Sequence, residues 1–129
     1  MSNITYKVND RLWFFNEGAN NIMWCDYSKS GEDQMLTLFD QAFEISQNSG
    51  SFVKILANFK STPKSQKLTK RMRESGKWFK QSGVDVKIAV LGFDNTFTRV
   101  VMNTTMTISR VKNLKLFENR EDALGWLSA

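Results

Sequence analysis

The chain has 129 residues, with 18 Lys and Arg, 13 Asp and Glu and no His, for a formal charge of +5. A length on the order of 100–150 residues suits one domain, and an apolar content of 41% is too high for a disordered chain. The lack of histidine excludes schemes with a His base and most zinc sites, and a single cysteine, Cys25, excludes an intramolecular disulfide.

The first 30 residues read as three short strands. Tyr6 and Val8 alternate with polar neighbours, and Asn9-Asp10 signals a turn. Leu12–Phe15 is a short apolar run in which the adjacent Phe14 and Phe15 must point to opposite faces. Gly18-Ala19-Asn20-Asn21 makes a second turn, and Ile22-Met23-Trp24-Cys25 a third strand. The period then changes. Met35, Leu38, Phe39, Ala42 and Phe43 form one apolar helix face, with Ser30 as the expected cap and Gln47-Asn48-Ser49-Gly50 as the stop. Phe52–Phe59 is the next strand. Pro63 suits the first turn of a second helix, whose inner face takes Leu68, Met72 and Phe79 and which stops at Gln81-Ser82-Gly83. Val84–Leu91 is a strand that ends at Gly92. Asp94 or Asn95 caps a helix that carries Phe97, Val101, Thr105 and Ile108 on one face. Leu114–Phe117 is the last strand, and Asn119 caps a final helix whose inner face is Ala123, Leu124 and Leu127.

Alternating helices and strands after residue 31 call for crossovers onto one sheet. The expected fold is a single α/β domain over residues 1–129. Its sheet is mixed and mostly parallel, with five or six strands, an antiparallel opening meander and about four helices. No apolar run exceeds four residues, whereas a membrane span needs about 20. The first residues lack the basic and apolar regions of a signal peptide. A soluble, cytoplasmic protein without a transmembrane segment is expected.

The C-terminal third carries a resemblance. Gly83-Val84-Asp85-Val86-Lys87-Ile88-Ala89-Val90-Leu91-Gly92 is a strand and turn. After a helix come Leu114-Lys115-Leu116-Phe117-Glu118-Asn119 and then Arg120-Glu121-Asp122-Ala123-Leu124-Gly125-Trp126-Leu127. These segments resemble the small, stand-alone STAS-like proteins of bacteria, relatives of anti-sigma-factor antagonists and of the cytoplasmic domains of sulfate transporters. The element order over about residues 5–128 is similar too. The resemblance implies a mixed sheet with helices on it and a non-enzymatic role in protein interaction or ligand sensing. In the antagonist branch a strand ends in Asp, and a loop leads to an Asp-Ser pair whose Ser is phosphorylated. Here Asn58 stands where the acid would, and Lys60-Ser61-Thr62-Pro63-Lys64-Ser65 contains no Asp-Ser pair. Ser61, Thr62 and Ser65 hold the related positions.

Two regions stand out on chemistry alone. The loops Ser61–Ser65 and Gly92–Thr96 follow adjacent strands, and ligands of open α/β sheets gather at such strand ends. Asn58, Ser61, Thr62, Ser65, Phe93, Asp94 and Asn95 are the candidate ligand or partner site; ordinary turn and cap chemistry is the competing explanation. Residues 60–80 hold eight basic side chains against Glu74 alone, a net +7, which leaves −2 for the rest of the chain. Lys67, Lys70, Arg71, Arg73 and Lys77 are the candidate docking face for an anionic partner, against the alternative of a solvated helix face. A recognised nucleic-acid motif is missing, so nucleic acid is not the expected partner. Asp33, Asp40 and Glu44 fall on a polar helix side, and Cys25 has no His to activate it. Trp78 and Trp126 are candidates for an exposed apolar patch, with a homodimer as one consequence.

The expectation is therefore a non-catalytic regulatory or protein-interaction module without metal or cofactor, with a protein partner. The alternative is a binder of a small apolar or lipid-like ligand between sheet and helices. An anionic ligand at the strand ends is a further option.

Overall fold

Short alternating segments punctuated by Asn and Gly give a meander, and longer 3.6-period segments give helices between the later strands. The computed structural model describes residues 3–50, 52–92 and 114–129. Strands β1 (Asn3–Asn9), β2 (Leu12–Glu17) and β3 (Asn20–Asp26) come first. Helix α1 (Glu32–Gln47), β4 (Val53–Asn58), α2 (Gln66–Ser82) and β5 (Val86–Leu91) follow. β6 (Leu114–Phe117) and α3 (Arg120–Ser128) complete the described residues. The expected helix beginning near Asp94 lies outside them.

The six strands form one sheet in the order β1-β2-β3-β4-β5-β6. The first three pair antiparallel, and β3 to β6 pair parallel. This is the expected mixed α/β sheet. β1 is an edge strand, and register shifts at Ile4/Tyr6 and Lys7/Asn9 make it irregular. Such irregularity twists an edge away from further pairing.

Strand alternation divides the core in two. Met23, Cys25, Ile55, Ala57, Val86 and Val90 face one way and meet Met35, Leu38, Ala42 and Leu68 of α1 and α2. Phe15, Ile22, Leu56 and Ala89 face the other way and meet Ala123 and Leu127 of α3. Phe14 and Phe15 do point to opposite faces: Phe14 packs against the α1/α2 core, whereas Phe15 is buried under α3.

Several local expectations need correction. Ser30 does not cap α1; Gly31 does, without a side-chain hydrogen bond. The Ser30 hydroxyl instead accepts a hydrogen bond from Arg11 at 3.1 Å. Pro63 lies in the loop before α2, because Ser65 is the cap and its Oγ accepts from Leu68 N. At the other end Gly83, with φ +77°, takes the left-handed position that terminates α2. Asn119 caps α3 as expected, accepting from Asp122 N at 2.8 Å.

The expected Trp78 and Trp126 patch is also corrected. Trp78 is half-buried with its ring edge-on to Phe43, and Trp126 packs against Phe117. Among the described residues the exposed large apolar side chains are instead Ile4, Tyr6, Val8 and Phe52.

Lys87 ties α3 to the sheet. Its Nζ donates to the Trp126 carbonyl and lies 4.5 Å from the Trp126 ring centroid. A cation at the C-terminal end of a helix also favours the helix dipole. Burial, and then nearby Lys54, lower the Lys87 pKa. Lys87→Ala is expected to destabilise the fold by about 1 kcal/mol. Urea unfolding followed by tryptophan fluorescence measures this.

Candidate functional site

The parallel strands end at one level. Asp26, Asn58 and Leu91 are register partners across β3, β4 and β5, and Leu91 pairs with Phe117 of β6. Backbone hydrogen bonds continue beyond the strands: Tyr27 N donates to Asn58 O at 2.9 Å and Phe59 N to Leu91 O at 2.8 Å. The loops after β3 and β4 and the end of β5 are thereby laid side by side.

Polar side chains bind these loops to one another. Asp26 Oδ1 accepts from the Ser28 hydroxyl at 2.6 Å, from Ser28 N at 3.1 Å and from Asn58 Nδ2 at 3.5 Å. Asn58 Oδ1 accepts from Lys60 N at 3.1 Å. Arg11 reaches in from the β1–β2 turn and donates to the carbonyls of Asp26 and Ser28. Thr62 Oγ1 donates to Phe59 O at 2.8 Å. Ser65 Oγ donates to Glu32 at 2.8 Å while accepting from Leu68 N, so one hydroxyl links the starts of α1 and α2.

The candidate residues thus divide into groups. Asn58, Thr62 and Ser65 are half-buried and hold loop structure, whereas Ser61 is exposed with φ +58°. Phe93, Asp94 and Asn95 lie outside the described residues. Asp26, Ser28 and Arg11 were missed by sequence reasoning. A polar residue closing β3 as Asn58 closes β4 was the available signal, but only the strand register makes the two neighbours.

The basic face is separate. Lys67, Lys70, Arg73 and Lys77 are exposed and form no ion pair among the described residues. Arg71 differs: its guanidinium lies 2.5 Å from Asp40 and also donates to Leu36 O at 3.4 Å. It holds α2 against α1. Lys80, on the same basic side of α2, is exposed and completes a stripe with Lys70, Arg73 and Lys77 at i, i+3, i+7 and i+10.

An apolar cavity of about 60 Å³ lies between the sheet and α1/α2. Cys25, Ile55 and Ala57 line its floor, and Phe43 and Phe79 its roof. The Ser46 and Ser75 hydroxyls beside it donate to Ala42 O and Met72 O of their own helices. Small-molecule sites usually enclose about 300–1,000 Å³, so this space is several-fold too small for a lipid-like molecule. Burial pushes the Cys25 thiol up to about 12, which keeps it protonated and weakly nucleophilic. A second, shallow cleft of about 310 Å³ runs between the β1–β2 turn and α1, lined by Asn9, Arg11, Asp33, Thr37 and Gln41 among others. No group of three or more His, Cys, Asp or Glu among the described residues is arranged to hold a metal ion. No helix among them is long and apolar enough to cross a membrane.

No family model, curated protein or solved structure matches this chain.

The closeness of the strand-end loops gives a direct test. Gly92 has φ +95°, and a Cβ there would lie 2.4 Å from Lys60 N and 2.9 Å from Asn58 Oδ1. The first obstacle is backbone, so it cannot rotate away. Gly92→Ala is expected to lower stability by about 2–3 kcal/mol, combining left-handed strain with displacement of the β4 loop. Thermal unfolding by circular dichroism checks it; an unchanged midpoint would contradict this packing.

Proposed function

We propose that this protein is a non-catalytic interaction module that docks an acidic protein surface on α2. The observation that carries the reading is the stripe of Lys70, Arg73, Lys77 and Lys80. All four are exposed, and none is ion-paired among the described residues. Glu74 is the single acid in that helix. Concentrated charge of one sign raises encounter rates with the opposite sign and selects against like-charged partners. The strand-end groups support the same reading from the other side. Asp26 and Asn58 bind the loops to one another, which suits a rigid support for α2.

The resemblance of Gly83–Gly92 and Leu114–Leu127 to STAS-like proteins favours a regulatory role in the cytoplasm by analogy. In this reading Ser65 couples the support to the docking helix, since its hydroxyl joins the α2 cap to Glu32 of α1. An event at the strand-end loops would act on α2 through that contact.

A defined probe tests the docking face. Wild-type protein is expected to bind a poly-glutamate peptide in low salt, with affinity falling roughly tenfold or more as salt rises to about 0.2 M. Lys70→Glu with Arg73→Glu should abolish binding. Lys29→Glu with Lys115→Glu makes the same charge change elsewhere and should retain most of it. Equal binding by both double variants, measured by fluorescence anisotropy, would sink the reading.

The apolar-ligand alternative has one observation in its favour, the cavity beneath α1 and α2. Its volume argues against it, because a lipid-like guest would have to part the helices. Native mass spectrometry of gently purified protein is expected to show no adduct. A retained adduct of several hundred daltons would reverse the order of the two readings.

A further inference from the structure

The helix beside α2 carries the opposite charge. α1 contains Glu32, Asp33, Asp40 and Glu44 and no basic residue. α2 contains Lys67, Lys70, Arg71, Arg73, Lys77 and Lys80 against Glu74. The two helices lie on the same face of the sheet and touch each other, with Arg71 and Asp40 paired between them.

Their outer faces match in length as well as in sign. Asp33 and Glu44 are exposed and lie on one line with Asp40 at i, i+11 and i+7, with exposed Thr37 between them; Asp40 shares its carboxylate with Arg71, so Asp33 and Glu44 are the acids of this line outside that pair. At a rise of about 1.5 Å per residue this acidic stripe is about 16 Å long. The stripe from Lys70 to Lys80 is about 15 Å long by the same measure. Neither outer face carries a large exposed apolar side chain, since those lie at Ile4, Tyr6, Val8 and Phe52.

Topology supplies the symmetry. α1 returns from the end of β3 to the start of β4, and α2 returns from the end of β4 to the start of β5. Both therefore run against the strands and parallel to each other. A two-fold axis directed along the helices sets α1 of one copy over α2 of the other, and α2 over α1. Each acidic stripe then faces a basic stripe, twice. An axis across the helices would set α1 on α1 and α2 on α2, where like charges oppose. Such self-complementarity is what a closed two-fold interface requires.

We infer that the acidic surface docked by α2 is α1 of a second copy of this chain, in a two-fold dimer built from the α1/α2 faces. The inference rests on the docking role proposed above for the α2 stripe and names its occupant. The interface is polar, and exposed ion pairs are individually weak. The overall charge of +5 opposes approach at long range. The dimer is therefore weak and salt-sensitive. Arg71 and Asp40 keep the two stripes in fixed relation within each copy.

Complementary charge reversals test it on the full-length chain. One variant is Lys70→Glu with Arg73→Glu and Lys77→Glu, which turns the α2 stripe net negative and leaves both outer faces acidic. The other is Asp33→Lys with Glu44→Lys, which leaves both basic. Sedimentation velocity at about 0.1 mM protein and low salt, where the screening length is long, reads the result. Wild-type protein is expected to dimerise there and to become monomeric at about 0.5 M salt, where screening is within a few ångströms. Each variant alone should be monomeric in low salt. Their equimolar mixture should dimerise, because the acidic faces of one meet the basic faces of the other. A wild-type monomer in low salt overturns the dimer, as do variants that dimerise alone or a mixture that does not. Poly-glutamate binding separates this failure from that of the parent reading. If wild-type protein stays monomeric yet binds the peptide through Lys70 and Arg73, the self-docking alone is lost. If the peptide discriminates neither double variant, the parent reading is lost too.

Discussion

The parallel ladder from β3 to β6 is the constraint on which the other features depend. Parallel strands cannot be joined by a tight turn, so each link must cross a face of the sheet. α1 and α2 make two of those crossings, and right-handed connections place them on the same face. α3 covers the opposite face. Both faces of β4 and β5 are then apolar, and Leu56, Ala89 and Val90 are almost completely buried. The antiparallel strands β1 and β2 extend the sheet away from this buried centre to an irregular, exposed edge.

The same ladder organises the polar groups. Because β3, β4 and β5 are in register, Asp26, Asn58 and Leu91 finish together. The Asp26 and Asn58 side chains and the loops after β3 and β4 then satisfy one another. Asn58 bridges Asp26 and the Lys60 amide, and Gly92, directly after β5, lies against the β4 loop. Ser65 carries the connection onward to the starts of both helices. A rigid end of the sheet thus positions two charged helices, and the charge on their outer faces is the surface available to a partner.

Those helices differ in what their charges do. Arg71 is drawn onto the Asp40 carboxylate and the Leu36 carbonyl, so it works within the molecule. Lys70, Arg73, Lys77 and Lys80 point outward, as do Asp33 and Glu44 on α1. A solvated helix would not need such segregation of sign between neighbours; intermixed charges serve solubility as well. The segregation is the observation behind the proposed docking, and the cavity beneath the helices is small.

Much of the fold was legible before any coordinates. Period-two runs marked the strands, period-3.6 runs marked the helices, and Gly83 and Asn119 ended or began helices through purely local geometry. Local rules failed where a distant residue competed. Ser30 was a reasonable cap until Arg11, 19 positions earlier in the chain, engaged its hydroxyl. Pro63 was a reasonable first-turn residue, yet Ser65 could satisfy Leu68 N and Glu32 together. Trp78 was a candidate for exposure because the adjacent Phe79 takes the inner helix face, and Trp126 was a candidate with it; Phe43, Phe117 and Lys87 cover them from other elements. The basic character of residues 60–80 could be counted directly, since composition carries charge. Which of those charges face outward, and that Asp26 lies beside Asn58, could not. Helix phase and strand register across 32 positions are set by burial of both sheet faces, and burial is a property of the assembled layers.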